Sequence, residues 1–192
     1  MIAITAKHRA IASLLPDEPE TLGLLALMPL HHSRRDARLT ADGEPVLLGE
    51  QDRSAWHHNE IVEGLELVER ALRIGRPGAY QVQAAIAALH AQAPTADATD
   101  WREIVSLYEV LLDFNASPVV ELNRAASVAM AAGPEQGLAL IERLHANGAL
   151  EEYRWFHSSR GELLRRVGRF AEATAAYERA LPSRTTPRSA PS

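Results

Sequence analysis

Two short segments hold the residues best suited to chemistry or contact. One is Gln51-Asp52-Arg53-Ser54-Ala55-Trp56; the other ends at Trp101 and contains Asp97 and Asp100. A charged group beside a large aromatic is a composition typical of protein-contact hot spots. Asp52, Arg53, Trp56, Asp97, Asp100 and Trp101 are therefore the candidate interaction residues. Each segment also has a plainer reading as a helix start. Asp52 or Ser54 caps a helix, Trp56 enters the core and Arg53 pairs internally. Asp100 with Glu103 makes a capping box around Trp101.

Metal chemistry fits the sequence poorly. His31-His32 and His57-His58 are adjacent pairs, and neighbouring helix positions point about 100° apart, so neither pair chelates as His-x3-His does. The expectation is solvent-facing or capping histidines. Asp17, Glu18, Glu20, Asp97, Asp100 and Glu103 fall at helix starts, where the helix dipole favours carboxylates. No Gly-x-Ser-x-Gly turn and no Gly-rich phosphate loop is present. Arg34, Arg35 and Arg38 lack interleaved aromatics and read as a solvated loop. No catalytic, cofactor-binding or metal-binding residue is assigned, and the chain is expected not to be an enzyme.

The elements that position these residues are helical. Apolar residues recur at helical spacing almost everywhere, and no stretch alternates as a strand would. A first helix covers Ile2 to Leu15. Pro16-Asp17-Glu18-Pro19-Glu20 starts the next, with Asp17 as cap, Pro19 in the first turn and Glu20 at the capping-box position. Pro29 is expected to kink or stop that helix near Met28. Ala41-Asp42-Gly43-Glu44 reads as a turn, and Val46-Leu47-Leu48 is too short to assign. Further helices run through Trp56 to Leu72, ending at Gly75, and from Tyr80 to Gln92. Then come Trp101 to Phe114, Pro118 to Met130, Glu135 to Ala146, Glu151 to Val167 and Phe170 to Leu181.

The C-terminal helices repeat. Gly161, Leu164, Gly168, Ala173, Tyr177 and Ala180 match the small-and-aromatic spacing of a tetratricopeptide (TPR) unit. Ala126, Ala129, Gly133, Gly137, Ile141 and Leu144 occupy the corresponding places one unit earlier. Tyr80–Gln92 with Trp101–Phe114 makes an earlier pair, in which Tyr108 stands where Ile141 does. The expected fold is all-α: TPR-like stacked antiparallel helix pairs over 79–181, an N-terminal helical segment over 1–78, and a disordered Ser/Thr/Pro/Arg tail over 182–192.

Composition narrows the function classes. The 192 residues include no cysteine, which excludes disulfides and thiolate metal sites and suits a cytoplasmic protein. The net charge of −5 argues against a general nucleic-acid binder. No apolar run approaches the ~20 residues of a membrane span.

Several ordered segments then resemble one family. They begin with Leu15-Pro16-Asp17-Glu18-Pro19-Glu20, Leu22 through Met28, Ala41-Asp42-Gly43-Glu44, and Glu50 through Ser54 with Trp56. Tyr80-Gln81 with Gln83 through Ala88, Asp100-Trp101, Ser117 through Val120, Leu122 through Ala125, and Leu163 through Gly168 follow. Together they resemble the C-terminal TPR-like extension of bacterial ECF-type (extracytoplasmic function) RNA polymerase sigma factors, from about Lys7 to Leu181. Pro29, His32, Gly49 and the final segment depart from that pattern. The resemblance implies a regulatory domain that modulates transcription initiation by contacting the sigma-factor N-terminal modules or the polymerase core. It implies no direct DNA binding by this chain, because the promoter-reading modules are not in it. The alternatives are a free-standing TPR-like adaptor and, further off, a helical hydrolase or metal enzyme.

Overall fold

The structure, a computed structural model, describes residues 18–181. The helix expected over Ile2–Leu15 and the tail over 182–192 lie outside the described residues. Among the described residues eight α-helices follow one another: α1 Pro19–His32, α2 His58–Ile74, α3 Ala79–Gln92, α4 Trp101–Phe114, α5 Pro118–Ala131, α6 Pro134–Ala146, α7 Arg154–Arg166 and α8 Phe170–Ala180. The all-α fold of helix pairs is thus observed. Among the described residues the one pairing of extended backbone is an isolated bridge, Leu39 to Pro45, closed by a turn at Gly43.

The helix starting at Pro19 does not stop at Met28. It continues through Pro29 to His32. Proline here costs one intrahelical bond, near the helix end, while the last carbonyls are well served. The Ser33 N–H donates to the Pro29 carbonyl at 2.8 Å, and Ser33 Oγ donates to the Leu30 carbonyl at 2.8 Å. Arg38 and Arg35 donate to the carbonyls of His31 and His32. Leu30, one residue beyond the proline, is anchored at 2% exposure.

Two compact units divide the chain, Met1–Val120 and Glu121–Ser192. The reason lies in α3, which is apolar on two faces. Ala84 and Ala88 pack with Ala26 and Leu30 of α1 and Val68 of α2. Val82 and Ile86 pack with Ile104 and Leu111 of α4. The N-terminal segment and the first helix pair therefore share one core. At Gly23, α1 and α3 meet backbone to backbone: a Cβ there would lie 2.5 Å from the Gln81 nitrogen. Glu20 does not turn back on its own helix as a capping box would. Its carboxylate accepts the Tyr80 and Gln81 N–H groups at 3.0 and 3.1 Å. Gly78, the residue before α3, has no side chain to cap it, so a carboxylate from α1 takes that place.

In the second unit the repeat signals mark helix contacts. Gly137 of α6 lies against Ala125 and Ala129 of α5, and Gly161 of α7 lies against the Tyr177 ring of α8. Gly133 and Gly168, equivalent in the repeat, both adopt positive φ at the turns before α6 and α8 (115° and 80°). Phe156, Leu164 and Ile141 are fully buried.

Candidate functional site

The segment Asp52 to Trp56 does not open α2 directly. Asp52 caps a separate 3₁₀ turn, Arg53–Ala55, accepting the Ser54 N–H at 2.9 Å and the Ser54 hydroxyl at 2.7 Å. Those two bonds hold its carboxyl below the usual range. Trp56 follows the turn and precedes α2, which starts at His58. Its ring is 7% exposed and packs with Ala37 and Ile61. The cap expected for the helix therefore belongs to the turn that delivers Trp56 into the core.

Arg53 lies 4.6 Å above the Trp56 ring and donates to the carbonyls of His90 and Ala93, at the C-terminal end of α3. A cation suits that end, where unsatisfied carbonyls gather. Arg53 Nη2 also reaches Thr99 Oγ1 at 3.5 Å, in the loop before α4. That loop carries the other candidates. Asp97 is exposed. Asp100 caps α4 by accepting the Glu103 N–H at 3.0 Å. Trp101 donates to the Ala96 carbonyl at 3.3 Å and sets its edge against His90, ring centres 5.2 Å apart. Arg53, Trp56 and Trp101 are thus brought to one end of α3. Asp52, Asp97 and Asp100 stay at the surface.

Arg34 and Arg38, expected in a solvated loop, form a cluster with His31 beside these residues. Because α1 continues to His32, Arg34 falls within reach of Trp56, its guanidinium 5.8 Å from the ring centre. Arg34 Nη2 donates to His31 Nδ1 at 2.9 Å, and Arg38 Nη2 to the His31 carbonyl at 2.6 Å. Burial, then Arg38 and Arg53, lower the Arg34 pKa to about 10, so it remains a cation at neutral pH. Burial, then Arg34 and Arg38, push His31 down to about 4. Burial, then Arg34 and Arg53, do the same to His90. Both imidazoles are neutral at pH 7, which agrees with His31 Nδ1 accepting from arginine.

The neighbouring acids are engaged elsewhere. Arg35 Nη1 donates to both Glu60 oxygens at 2.9 Å, and His32 Nδ1 lies 3.0 Å from Glu60. Arg35 Nη2 also donates to His57 Nδ1 at 3.0 Å, leaving Nε2 to donate to Asp36 at 2.6 Å. This network pins the polar loop to the start of α2. His32 and His57 thus serve as partners of Glu60, Arg35 and Asp36 rather than as caps, and the His57 side chain makes no cap bond to α2. Among the described residues no group of three or more His, Asp or Glu is placed to hold a metal ion.

Beside Trp56 a cleft of about 570 Å³ opens. Arg53, Ser54 and Trp56 form one end; Ile61, Leu65, Ala91 and Pro94 supply apolar walls. The Trp56 indole N–H is buried without a hydrogen-bond partner. The lining thus combines one arginine, an indole whose N–H is idle, and apolar side chains, and Arg34 lies against the same indole.

Residues 3–72 match a family of unknown function, DUF6596. That match includes α1, the arginine-rich loop and the Asp52–Trp56 turn. The chain is also similar to an uncharacterized protein of Rhizobium meliloti (strain 1021), with 48% identity over 173 residues. The similarity covers 90% of this chain but 40% of the relative, so the chain spans about two fifths of that protein's length. No solved structure matches. Among the described residues, no helix is long and apolar enough to cross a membrane.

Proposed function

We propose that this chain is the C-terminal regulatory, protein-interaction part of an ECF-type RNA polymerase sigma factor. It acts in the bacterial cytoplasm and modulates transcription initiation by contacting the sigma modules or the polymerase core. The observation that supports this most is the ordered resemblance running from Lys7 to Leu181. Two others agree with it. The relative continues well beyond the matched region, as a protein with further modules would. The Trp56 cleft has the aromatic-and-arginine make-up of a protein contact. The role is one of contact rather than catalysis, and promoter DNA is read by other modules.

The test is a promoter-reporter assay with this chain joined to sigma modules. Removing the whole chain is expected to change promoter-directed transcription. Unchanged transcription after its removal refutes the regulatory role.

A further inference from the structure

Surface arginines ordinarily settle on a nearby carboxylate, since the charge-assisted pair is about twice as strong as a neutral hydrogen bond. Around Trp56 carboxylates are close by but taken. Glu60 holds Arg35 and His32, Asp36 holds His57, and Asp52 holds Ser54. Among the described residues, Arg34, Arg38 and Arg53 are left with neutral acceptors: an imidazole nitrogen, the Thr99 hydroxyl and the carbonyls of His31, His90 and Ala93. Two of these cations crowd the same indole. The indole N–H of that ring is buried and idle. The same Arg53 and Trp56 close one end of an apolar cleft.

We infer that this cleft docks a segment of a partner protein in which a carboxylate side chain stands next to an apolar one. The inference rests on the protein-contact reading of the chain. The carboxylate meets the arginines and the indole N–H; the apolar neighbour lies along Ile61 and Leu65. Charge complementarity selects the acid, because positive charge gathers there with no anion of its own among the described residues. The apolar walls select a peptide over nucleic acid, as does the chain's net charge of −5. A carboxylate arriving there gains Arg34, which is already held against Trp56 and so loses little freedom on binding.

The full 192-residue chain is immobilised and a random dodecapeptide phage library is selected on it. The expected winners combine Asp or Glu with Leu, Ile, Val, Met or an aromatic. A synthetic winner is then measured by fluorescence anisotropy. Its affinity is expected to fall at least tenfold in Arg34→Gln/Arg38→Gln, at least tenfold when its acid is changed to the amide, and further as salt rises. Arg53 is left intact because it holds the end of α3. Circular dichroism checks the fold. If the double variant fails to fold, Arg38→Gln alone serves, since Arg38 is exposed and its one bond among the described residues is to the His31 carbonyl. A threefold loss or more is then expected. Winners without acids, no winners, or acid-dependent binding that survives the arginine changes overturn the inference. A phosphoserine version of the winner binding ten times tighter than the acid overturns it in favour of a phosphopeptide. Self-association that the double variant abolishes overturns it in favour of a second copy. All these outcomes leave the reporter assay above unaffected, so this inference and the regulatory role fail separately.

Discussion

One arginine cluster of the first unit differs from the glutamate-paired arginines of the second. In the second, four arginines close onto glutamates: Arg160 on Glu142 at 3.0 Å, Arg165 on Glu162 at 2.7 Å, Arg169 on Glu172 at 2.6 Å and Arg179 on Glu151 at 2.6 Å. In the first, Arg34, Arg38 and Arg53 sit among histidines, carbonyls and an indole, with no carboxylate on them among the described residues. Within each unit helices meet at glycines, so the basic packing is alike. The charge pattern differs. Paired arginines fasten a surface, whereas arginines held close together without counter-charge keep attraction available for a ligand.

The largest effect tests the shared packing and shows where it stops being shared. Gly23→Ala in the first unit pushes a Cβ into the backbone of Tyr80 and Gln81, which cannot swing aside. A loss of about 3 kcal/mol or more is expected in denaturant melts. Gly161→Ala in the second unit meets only the Tyr177 ring, at 2.9 Å, which can rotate, so about 1–2 kcal/mol is expected. Equal losses would mean that α1 and α3 are free to separate.

The second contrast concerns charge. Arg160 has a side chain only 15% exposed, and Glu142 is its acid. Glu142→Ala is expected to cost about 1–2 kcal/mol, because it strands a poorly hydrated cation. Arg34→Gln is expected to shift stability by no more than about 0.5 kcal/mol, since relief from Arg38 and Arg53 offsets the lost ring contact. A loss above 1 kcal/mol on the Arg34 change would show that the cluster serves folding.

Acid should separate the units as well. His31 and His90 have folded pKa values near 4, below the ordinary 6.5. Between those values the unfolded chain binds more protons, so stability in the first unit falls as pH drops from about 6.5 to 4. In the second unit Arg179, Arg165 and Arg169 hold Glu151, Glu162 and Glu172 below the ordinary 4.5. Their stabilisation is intact above pH 4.5 and is lost only as pH falls through the lowered values. Hydrogen exchange followed by mass spectrometry is expected to show α1 to α3 loosening at pH 5 while α7 and α8 stay protected. Simultaneous loosening would contradict the contrast.

The smallest effect is at Pro29. Pro29→Leu restores an N–H to a helix that already continues past it, and a gain of about 0.5–1 kcal/mol in thermal melts is expected. An unchanged or lower midpoint would mean that the end of α1 depends on the proline.

How much of this was legible in the sequence follows from the range of each interaction. The helices beyond Gly78, the turns at Gly43, Gly75 and Gly168, and the small residues at Gly137 and Gly161 are local or periodic signals, and the structure has them where the sequence puts them. Glu20 capping α3 and Arg53 capping its other end span 60 and 37 residues, so no local pattern announces them. The arginine cluster is hidden by Pro29. A helix that kinks or stops near Met28 leaves Arg34 in a loose loop, whereas the helix that reaches His32 carries it to Trp56. His90 had no signal of its own, because its role comes from where α3 ends.

The most direct measurement is a reporter assay with this chain joined to sigma modules and two matched double variants. Arg34→Gln/Arg38→Gln removes the unpaired cations of the first unit; Arg165→Gln/Arg169→Gln removes as much charge from the paired surface of the second. The first variant is expected to change promoter-directed transcription at least fivefold, with folding intact by circular dichroism, and the second less than twofold. Equal effects, or an effect confined to the second unit, would contradict the claim that the Trp56 cluster makes the regulatory contact.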